Sequence, residues 1–261
     1  SLPRMSGEFV KCCLAKRCFA THYLTSFLYR KDISNILDYV SLKEAKWIQD
    51  RINDRRLAGL LSNKLIFSEH LERGGFPVPP LLAYNTLDRM HLKSADRWET
   101  VALSSAQSMK DALCRLADER NIQDVFLKPI VGTQGQGAFK IAPGTLHDPE
   151  RMNVLFSAIA NNNYIFQQVV AQHPDMSPLN PSSLNTMRID TFRAPGEKAE
   201  ILSALLRIGG AHNDVDNVSA GGLFIGIHLD TGTLKEKAMN LFHGSKSLGT
   251  FRQNPTTGLP F

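Results

Sequence analysis

The sequence lacks several features that would assign it to a specialised class of protein. It has only four cysteines in 261 residues, and it contains no low-complexity stretch and no internal repeat of solenoid length. No apolar run approaches the length of a bilayer span and no signal peptide is visible, so we expect no membrane span. A hydrophobic content of 43% and a charged content of 21% then favour an ordinary globular protein.

The few cysteines do not have the spacing of a metal site. Cys12, Cys13 and Cys18 lie close together near the start, His22 follows them, and Cys114 stands alone. A zinc knuckle requires two separated pairs of ligands, which this arrangement does not provide. We therefore expect reduced thiols and a cytoplasmic protein.

The positive charge of the chain is moderate and leaves several kinds of partner open. There are 30 Lys and Arg residues against 25 Asp and Glu, which gives a formal net charge of +5. An excess of this size is compatible with nucleic acid, an anionic surface or an anionic small molecule. No basic run is dense and aromatic residues are not interleaved with basic ones, so we expect no nucleic-acid partner.

The order of the hydrophobic patterns predicts an α+β protein. Residues 1–60 have helical spacing, and Ser41 with Glu44 forms a capping box. Later helices are predicted in 63–73, 108–120 and 149–162, and strands at 81–84, 101–103, 125–131, 138–141, 164–170, 186–194, 200–210 and 221–230. The strands at 186–194 and 200–210 are predicted to pair as a hairpin, and no clear structure is predicted for 251–261. Helices first and antiparallel strands last favour α+β over a doubly wound sheet.

The segment VFLKPIVGTQGQGAFKI, residues 125–141, carries the strongest chemical signal. Its glycines follow the pattern Gly132-x-x-Gly135-x-Gly137, and they precede a strand. Walker loops and dinucleotide-binding loops precede a helix, and the kinase lysine follows its glycine loop, whereas Lys128 comes before this one. The remaining interpretation is a glycine hairpin that lies over a chain of phosphates.

Each residue type in this hairpin suits a phosphate ligand. Glycines let backbone N–H groups approach phosphate oxygens, Thr133 and Gln134 add side-chain donors, and Lys128 adds a compact positive charge. The alternative is a flexible hairpin that binds no ligand. Lys128 and Pro129, directly before the glycines, favour the phosphate hypothesis.

Four segments, in this order along the chain, resemble the ATP-grasp superfamily and more narrowly its sugar-transfer-associated branch, near the glutamate-ligase-like members. They are NKLIFSEHLERGGFPVPP, the glycine segment above, YIFQQVVAQHPDMSPLNPSSLNTMRIDTF and LLRIGGAHNDVDNVSAGGLFIGIHLDTGTL. The resemblance as a whole covers roughly residues 63–261. The resemblance implies two α+β lobes that grip ATP. They would be residues 61–168 with the glycine flap and residues 169–261, after an N-terminal helical region at residues 1–60.

The resemblance also implies roles for individual residues. ATP would be bound by Lys64 and Lys128 at the phosphates, by Gly132, Thr133, Gln134, Gly135 and Gly137 in the flap, by Gln167, Gln168, Val169 and Val170 in the hinge beside adenine, and by Asp175 at the ribose. Arg188, Arg207 and Asn217 would be catalytic, and Asp216 would lie near the reaction centre. Taken singly, Lys64 also fits a surface lysine, and Arg188 also fits the polar face of a strand.

One part of the family pattern is missing from these residues. Family members carry a Gly-Trp-Asp segment and a Glu-x-Asn strand that bind Mg²⁺, and neither follows NPTTGLPF at residues 254–261. We expect the C-terminal lobe to be truncated in this sequence, because it would otherwise lack strands of its sheet. The metal ligands are therefore left unassigned.

The resemblance implies an ATP-dependent carboxylate–amine ligase with Mg²⁺ as a further cofactor. ATP would phosphorylate a small-molecule carboxylate, and an amine would then displace phosphate from the acyl phosphate. The name of the branch suggests polysaccharide or cell-surface biosynthesis. Two alternatives stay open, a catalytically inactive ATP-binding module and a phosphotransferase that uses Asp214 or Asp216 as a general base.

Overall fold

The computed structural model describes the whole chain except residues 95, 96, 123, 134, 211–215, 217–220 and 242–247. The chain forms two compact units, Ser1–Gly59 and Leu60–Phe261. Among the described residues, no helix combines the length and the apolar character needed to cross a membrane.

The first unit is a small cluster of helices. They are α1, Leu2–Lys16; α2, Thr21–Thr25; and α3, Leu42–Ile52, with a 3-10 turn at Arg55–Leu57 after them. Their common core consists of Cys12, Ala20, Tyr23, Leu28 and Ile36.

Helix α3 begins at the predicted capping box, but the residues before it do not form the predicted helix. The Glu44 N–H donates to Ser41 Oγ at 3.2 Å and the Ser41 N–H donates to Glu44 Oε2 at 2.7 Å, which confirms the capping box. The prediction of helix throughout residues 1–60 is wrong for residues 26–41, which form turns and irregular backbone. Phe27 has a φ of 55°, a left-handed conformation through which an α-helix cannot continue.

A six-stranded antiparallel sheet forms the first part of the second unit. Its strands are β1, Leu81–Thr86; β2, Arg89–Ser94; β3, Arg97–Ala102; β4, Val125–Pro129; β5, Phe139–Ile141; and β6, Tyr164–Gln168. They lie in the order β3-β2-β1-β6-β4-β5. Helix α4, Ala58–Ser62, begins two residues before the boundary between the units, and the helices of this part are α5, Lys64–Arg73; α6, Ala106–Arg120; and α7, Pro149–Ala160.

Helices cover both faces of this sheet. The main cluster joins α6 and α7 to the strands through Met109, Leu113, Ile159, Leu127 and Phe166. In a separate cluster, Leu65 of α5 packs with Ile165. Ile165 and Phe166 are neighbours in β6, so their side chains point to opposite faces of the sheet. Helix α5 therefore covers the face that α6 and α7 leave free.

A fully buried asparagine joins β1, β6 and α7. Asn85 Oδ1 accepts from the Tyr164 N–H at 2.7 Å, and its Nδ2 donates to the carbonyl oxygens of Ile159 and Asn162 at 3.2 and 2.9 Å. The carbonyls at the end of α7 have no helical partner, and Asn85 supplies one. The same side chain fixes the point at which β6 enters the sheet.

A five-stranded antiparallel sheet forms the second part of this unit. Its strands are β7, Thr186–Phe192; β8, Glu200–Ile208; β9, Leu223–Gly226; β10, Ala238–Leu241; and β11, Leu248–Phe251. They lie in the order β11-β10-β9-β8-β7. The core on one face of the sheet contains Leu206, Ile208, Leu223, Ile225 and Ala238.

The end of β8 packs tightly against the loop that precedes β7. A Cβ placed on Gly209 would come 1.9 Å from Ser183 Oγ and 2.5 Å from Asn180 Nδ2. Asn180 and Ser183 are both buried, and the Asn180 amide donates to Ser183 Oγ at 3.0 Å. Only glycine fits at position 209 beside this loop.

The α+β class is confirmed, and so is the hairpin of β7 and β8, in which Thr186 lies opposite Arg207. The sequence reasoning did not predict β2, β10 and β11, which have six, four and four residues. Periodicity is weak evidence over so few residues. The predicted strand at 221–230 is shorter in the structure, because a turn at residues 229–231 follows β9. The division of the second unit into lobes at residue 168 stays a proposal.

Candidate functional site

A cleft of about 700 Å³ lies beside the glycine loop, and both sheets of the second unit contribute to its wall. The described residues that line it are Lys64, Pro79, Phe126, Lys128, Pro129, Gly132, Thr133, Gly135, Gln136, Ala138, Lys140, Gln167, Gln168, Val169, Val170, Ala171, Gln172, Pro181, Ser182, Leu184, Thr186, Arg207 and Asp216. A cleft of this size can hold a small organic molecule. It brings the two predicted lysines, most of the flap, the predicted hinge and Arg207 to one place.

The glycine loop connects two antiparallel strands, as a flap requires. In β4 and β5, Val125 lies opposite Ile141 and Leu127 lies opposite Phe139. Gly137 has a φ of 68°, and a Cβ there would come 3.0 Å from Tyr164 Oη and 3.2 Å from Pro129 Cγ. A side chain at 137 would therefore combine backbone strain with a close contact to the strands beneath the loop.

Backbone donors in this loop are available to a ligand. The Gln136 N–H donates to the Thr133 carbonyl and the Ala138 N–H donates to the Gly135 carbonyl. The N–H groups of Thr133, Gly135 and Gly137 find no acceptor among the residues that the structure describes. Backbone N–H groups in a glycine turn are a common means of binding an anion.

Lys64 joins α5 to the base of the flap. Helix α5 begins at this residue because Asn63 Oδ1 accepts from the N–H groups of Leu65 and Ile66, both at 3.1 Å. Lys64 Nζ donates to the carbonyl oxygens of Pro129 at 3.0 Å and Gly132 at 2.8 Å. Burial lowers the pKa of this ammonium. Two of its three donors bind neutral carbonyl groups, and the third is available to a ligand.

Lys128 has no such partners. This residue of β4 makes no hydrogen bond and no ion pair with any described part of the chain. Burial lowers the pKa of Lys128, and the positive charge of Lys64 lowers it further. The cleft therefore contains two neighbouring cations that no described carboxylate neutralises.

Hydrogen bonds fix the orientation of the Gln167 amide. Gln167, at the end of β6, is 3% exposed, and its Nε2 donates to the Pro79 carbonyl at 3.0 Å and lies 3.4 Å from Ser68 Oγ. A carbonyl oxygen can only accept, so the amide atom that faces Pro79 must be the nitrogen. The oxygen Oε1 faces away from Pro79 and has no donor among the described residues.

The rest of the predicted hinge also lies on the cleft wall. Gln168 is exposed, and its N–H donates to the Pro80 carbonyl at 3.0 Å. Val169 and Val170 follow it along the same wall. The hinge therefore offers one oriented side-chain acceptor and a short apolar surface.

On the opposite wall, Arg207, Asp216 and Thr186 form a hydrogen-bonded group. Thr186 and Arg207 are cross-strand neighbours in β7 and β8. Arg207 Nη2 donates to Asp216 Oδ1 at 2.8 Å, and Thr186 Oγ1 donates to Asp216 Oδ2. The side chains of Arg207 and Asp216 are only 24% and 12% exposed. The carboxylate thus holds the guanidinium in one position at the cleft.

Some predicted site residues lie elsewhere. Arg188 is on the same face of β7 as Thr186, because a single residue separates the two. It does not line the cleft, and its Nε lies 3.3 Å from Asp190 Oδ1. Asp175 is exposed and lies away from the cleft, with its N–H donating to His173 Nδ1 at 3.2 Å. The roles implied for Arg188 and Asp175 gain no support from their placement and stay predictions.

Two further predicted residues, Gln134 and Asn217, lie outside the described residues, and so does Asp214. Gly137 is described, but it lies in the turn of the flap rather than on the cleft wall. The sequence reasoning assigned no role to Thr186, which comes two residues before Arg188 in the segment that resembles the family. The alternation of strand residues was the available signal for it.

The described residues do not form a protein site for Mg²⁺. They contain no group of three His, Cys, Asp or Glu side chains close enough to hold a metal ion. Asp216 is the only carboxylate of the described cleft wall, and Arg207 and Thr186 already bind it. Magnesium therefore remains an expectation from the resemblance, and we derive no reaction step through it.

A family model described as sugar-transfer associated ATP-grasp matches residues 44–261, which include every residue of the cleft wall. A search of curated proteins found no match to this chain.

The pair of lysines leads to a prediction about proton binding. In Lys64→Met, we expect the pKa of Lys128 to rise, because the neighbouring positive charge is removed. It should still remain below the ordinary lysine value, since burial is the larger cause of the shift. The measurement is an NMR titration of the lysine side-chain resonances, with Lys128 assigned by its loss in Lys128→Arg.

The matched control is Lys140→Met. Lys140 also lines the cleft, but its Nζ lies 2.9 Å from Asp124 Oδ2. Its charge is therefore already neutralised by a neighbouring carboxylate. We expect it to leave the pKa of Lys128 unchanged. An unchanged or lower pKa of Lys128 in Lys64→Met would contradict the coupling between the two ammonium groups.

Proposed function

Because this chain belongs to the sugar-transfer associated ATP-grasp family, we propose that it is an ATP-dependent carboxylate–amine ligase that works through an acyl phosphate. The observation that carries the proposal is Lys128, a half-buried cation without a partner among the described residues, beside Lys64 and below a glycine flap. This arrangement suits a polyphosphate, which supplies several negative charges along a short chain.

The lysines and the flap would bind the phosphates of ATP. Lys128 contributes a whole positive charge, and Lys64 contributes the donor that Pro129 and Gly132 leave free. The N–H groups of the flap add neutral donors. Because these groups are fixed before the ligand binds, they can stabilise charge on a transferring phosphoryl group without reorganising.

Gln167 would select adenine. Its nitrogen is committed to Pro79 and Ser68, so its oxygen is the atom available to a base. The 6-amino group of adenine can donate to that oxygen, whereas guanine has an acceptor at position 6. A buried site with only an acceptor rejects a base that also presents an acceptor, because two polar groups are then left unpaired.

Arg207 would act on the carboxylate and its phosphorylated form. A carboxylate oxygen attacks the γ-phosphorus of ATP, the bond from that phosphorus to the bridging oxygen breaks, and ADP leaves with the electron pair. The amine then attacks the acyl carbon, phosphate leaves, and the amine loses a proton to form the amide. Arg207, held by Asp216, offers a planar donor group that suits both a carboxylate and a phosphate.

The geometry of Asp216 argues against the phosphotransferase alternative. A kinase-type mechanism needs a carboxylate that is ready to accept the proton of a hydroxyl. One oxygen of Asp216 binds Arg207 and the other binds Thr186, so both oxygens are already occupied by described partners. This arrangement favours positioning of Arg207 as the role of Asp216.

The substrates are proposed only by class. The name of the family supports a role in polysaccharide or cell-surface biosynthesis, with a small-molecule carboxylate and a small-molecule amine as the partners of ATP. A cytoplasmic location is part of the same proposal.

The first test compares two lysines of the same cleft. Lys128→Ala should weaken ATP binding by about 10- to 100-fold, the range expected when a hydrogen bond to a charged group is lost. Lys140→Ala should weaken it by less than about threefold, because Asp124 already neutralises Lys140 and surface ion pairs contribute little. Isothermal titration calorimetry with ATP measures both. Equal losses in the two variants would mean that the cleft attracts ATP by its general charge and not through Lys128.

The second test concerns the base. ATP should bind at least about 100-fold more tightly than GTP, since a site that hydrogen-bonds one base strongly disfavours the base that cannot pair with it. Gln167→Leu should reduce this ratio, and Gln168→Leu should leave it unchanged because its side chain is exposed. Competition against a fluorescent ATP analogue gives the ratios. A ratio that moves in Gln168→Leu and not in Gln167→Leu would reverse the assignment.

The third test identifies the reaction. With ATP, Mg²⁺, a carboxylic acid and hydroxylamine in place of the amine, the protein should release ADP and phosphate and form a hydroxamate in equal amounts, since hydroxylamine traps an acyl phosphate. Sugar acids and amino acids are the first acids to screen. A phosphate ester formed from a hydroxyl compound would instead identify a phosphotransferase. ATP binding without turnover of any acid or hydroxyl compound would identify an inactive module.

A further inference from the structure

The first helix has an exposed apolar face that the core of its own unit does not use. Leu2, Val10 and Leu14 of α1 are 77%, 54% and 75% exposed. At about 100° per residue they fall within one arc of about 120° on the helix surface. The other exposed helix positions within this arc, Pro3 and Ser6, have short side chains, so the apolar side chains project beyond them. Phe19 follows the helix and is 74% exposed.

Basic residues border this face, and the acidic residue of the helix is turned away from it. Lys11 and Arg17 are exposed beside the apolar arc. Glu8, the only Asp or Glu in α1, accepts a hydrogen bond from Tyr23 Oη at 2.5 Å and pairs with Arg4 at 3.4 Å. The outer face of α1 therefore combines apolar side chains and positive charge without a carboxylate.

The net charge of the chain is concentrated in this unit. Residues 1–59 contain eleven Lys and Arg against six Asp and Glu, which accounts for the whole surplus of +5. Residues 60–261 contain equal numbers of the two kinds. A segregation of this kind makes one unit attractive to an anionic surface while the other remains neutral overall.

We propose that the outer face of α1 binds an anionic lipid surface. Leu2, Val10, Leu14 and Phe19 enter the boundary between the headgroups and the acyl chains, and Lys11 and Arg17 contact the lipid phosphates. Charge favours this partner over a second copy of the chain, because two copies meeting at this face would place Lys11 and Arg17 against like charges. The proposal is independent of the reaction assigned to the cleft.

The test is co-sedimentation of the full chain with lipid vesicles. Phosphatidylcholine vesicles that contain about one-third phosphatidylglycerol should bind the protein, and pure phosphatidylcholine should bind it at least about tenfold more weakly. Lys11→Gln should reduce the affinity about fivefold, the effect of one basic side chain near an anionic membrane. Leu14→Glu should reduce it by more than about tenfold, and added salt should also weaken binding.

The matched control is Val154→Glu. Val154 lies on α7 in the second unit and is 67% exposed, so the change adds the same charge at a similarly exposed apolar residue. It should leave vesicle binding nearly unchanged. An equal loss in Val154→Glu and Leu14→Glu, equal binding to neutral and anionic vesicles, or no binding to either would overturn the proposal. Self-association without lipid that Leu14→Glu abolishes would show that a second copy occupies the face instead.

Discussion

The ammonium groups of Lys64 and Lys128 are partly buried beside each other in the cleft, and no described carboxylate neutralises them. The rest of the candidate site depends on this pair of unneutralised charges. Repulsion between the two charges and their loss of hydration both oppose folding. A polyanion relieves both effects, so the same charge pattern that destabilises the protein by itself strengthens phosphate binding. The N-cap at Asn63 and the strand β4 keep the two charges together.

The two walls of the cleft hold their cations by different means. Lys64 is held by the carbonyl groups of Pro129 and Gly132, which are neutral, so it keeps its full charge for a ligand. Arg207 is held by the carboxylate of Asp216, so the pair is neutral as a whole. The side of the cleft with Lys64 and Lys128 therefore attracts an anion over a distance, whereas the side with Arg207 offers mainly directed hydrogen bonds. This difference fits a site in which phosphate binds on one side and a smaller acyl group is handled on the other.

Local sequence signals predicted the parts of the structure that depend on neighbouring residues. The capping box at Ser41, the flap hairpin and the pairing of β7 with β8 all follow from short patterns. The contacts that assemble the cleft join residues far apart in the chain, as Lys64 does with Gly132 and Asn85 with Tyr164. The periodicity of a sequence does not predict contacts between such distant residues. Only the folded chain therefore shows how the Gln167 amide is oriented and that Asp216 binds Arg207.

The contact at Gly209 restricts how this chain can diverge. A side chain at 209 would meet Ser183 Oγ and Asn180 Nδ2, and its Cβ would also lie 3.1 Å from Ser183 Cβ, so shortening Ser183 to alanine would not make enough room. Arg207 lies two residues before Gly209, near the end of β8. Related proteins that differ around Arg207 are therefore expected either to keep glycine at position 209 or to change residues 180–183 together with it. Positions 180, 183 and 209 are expected to covary.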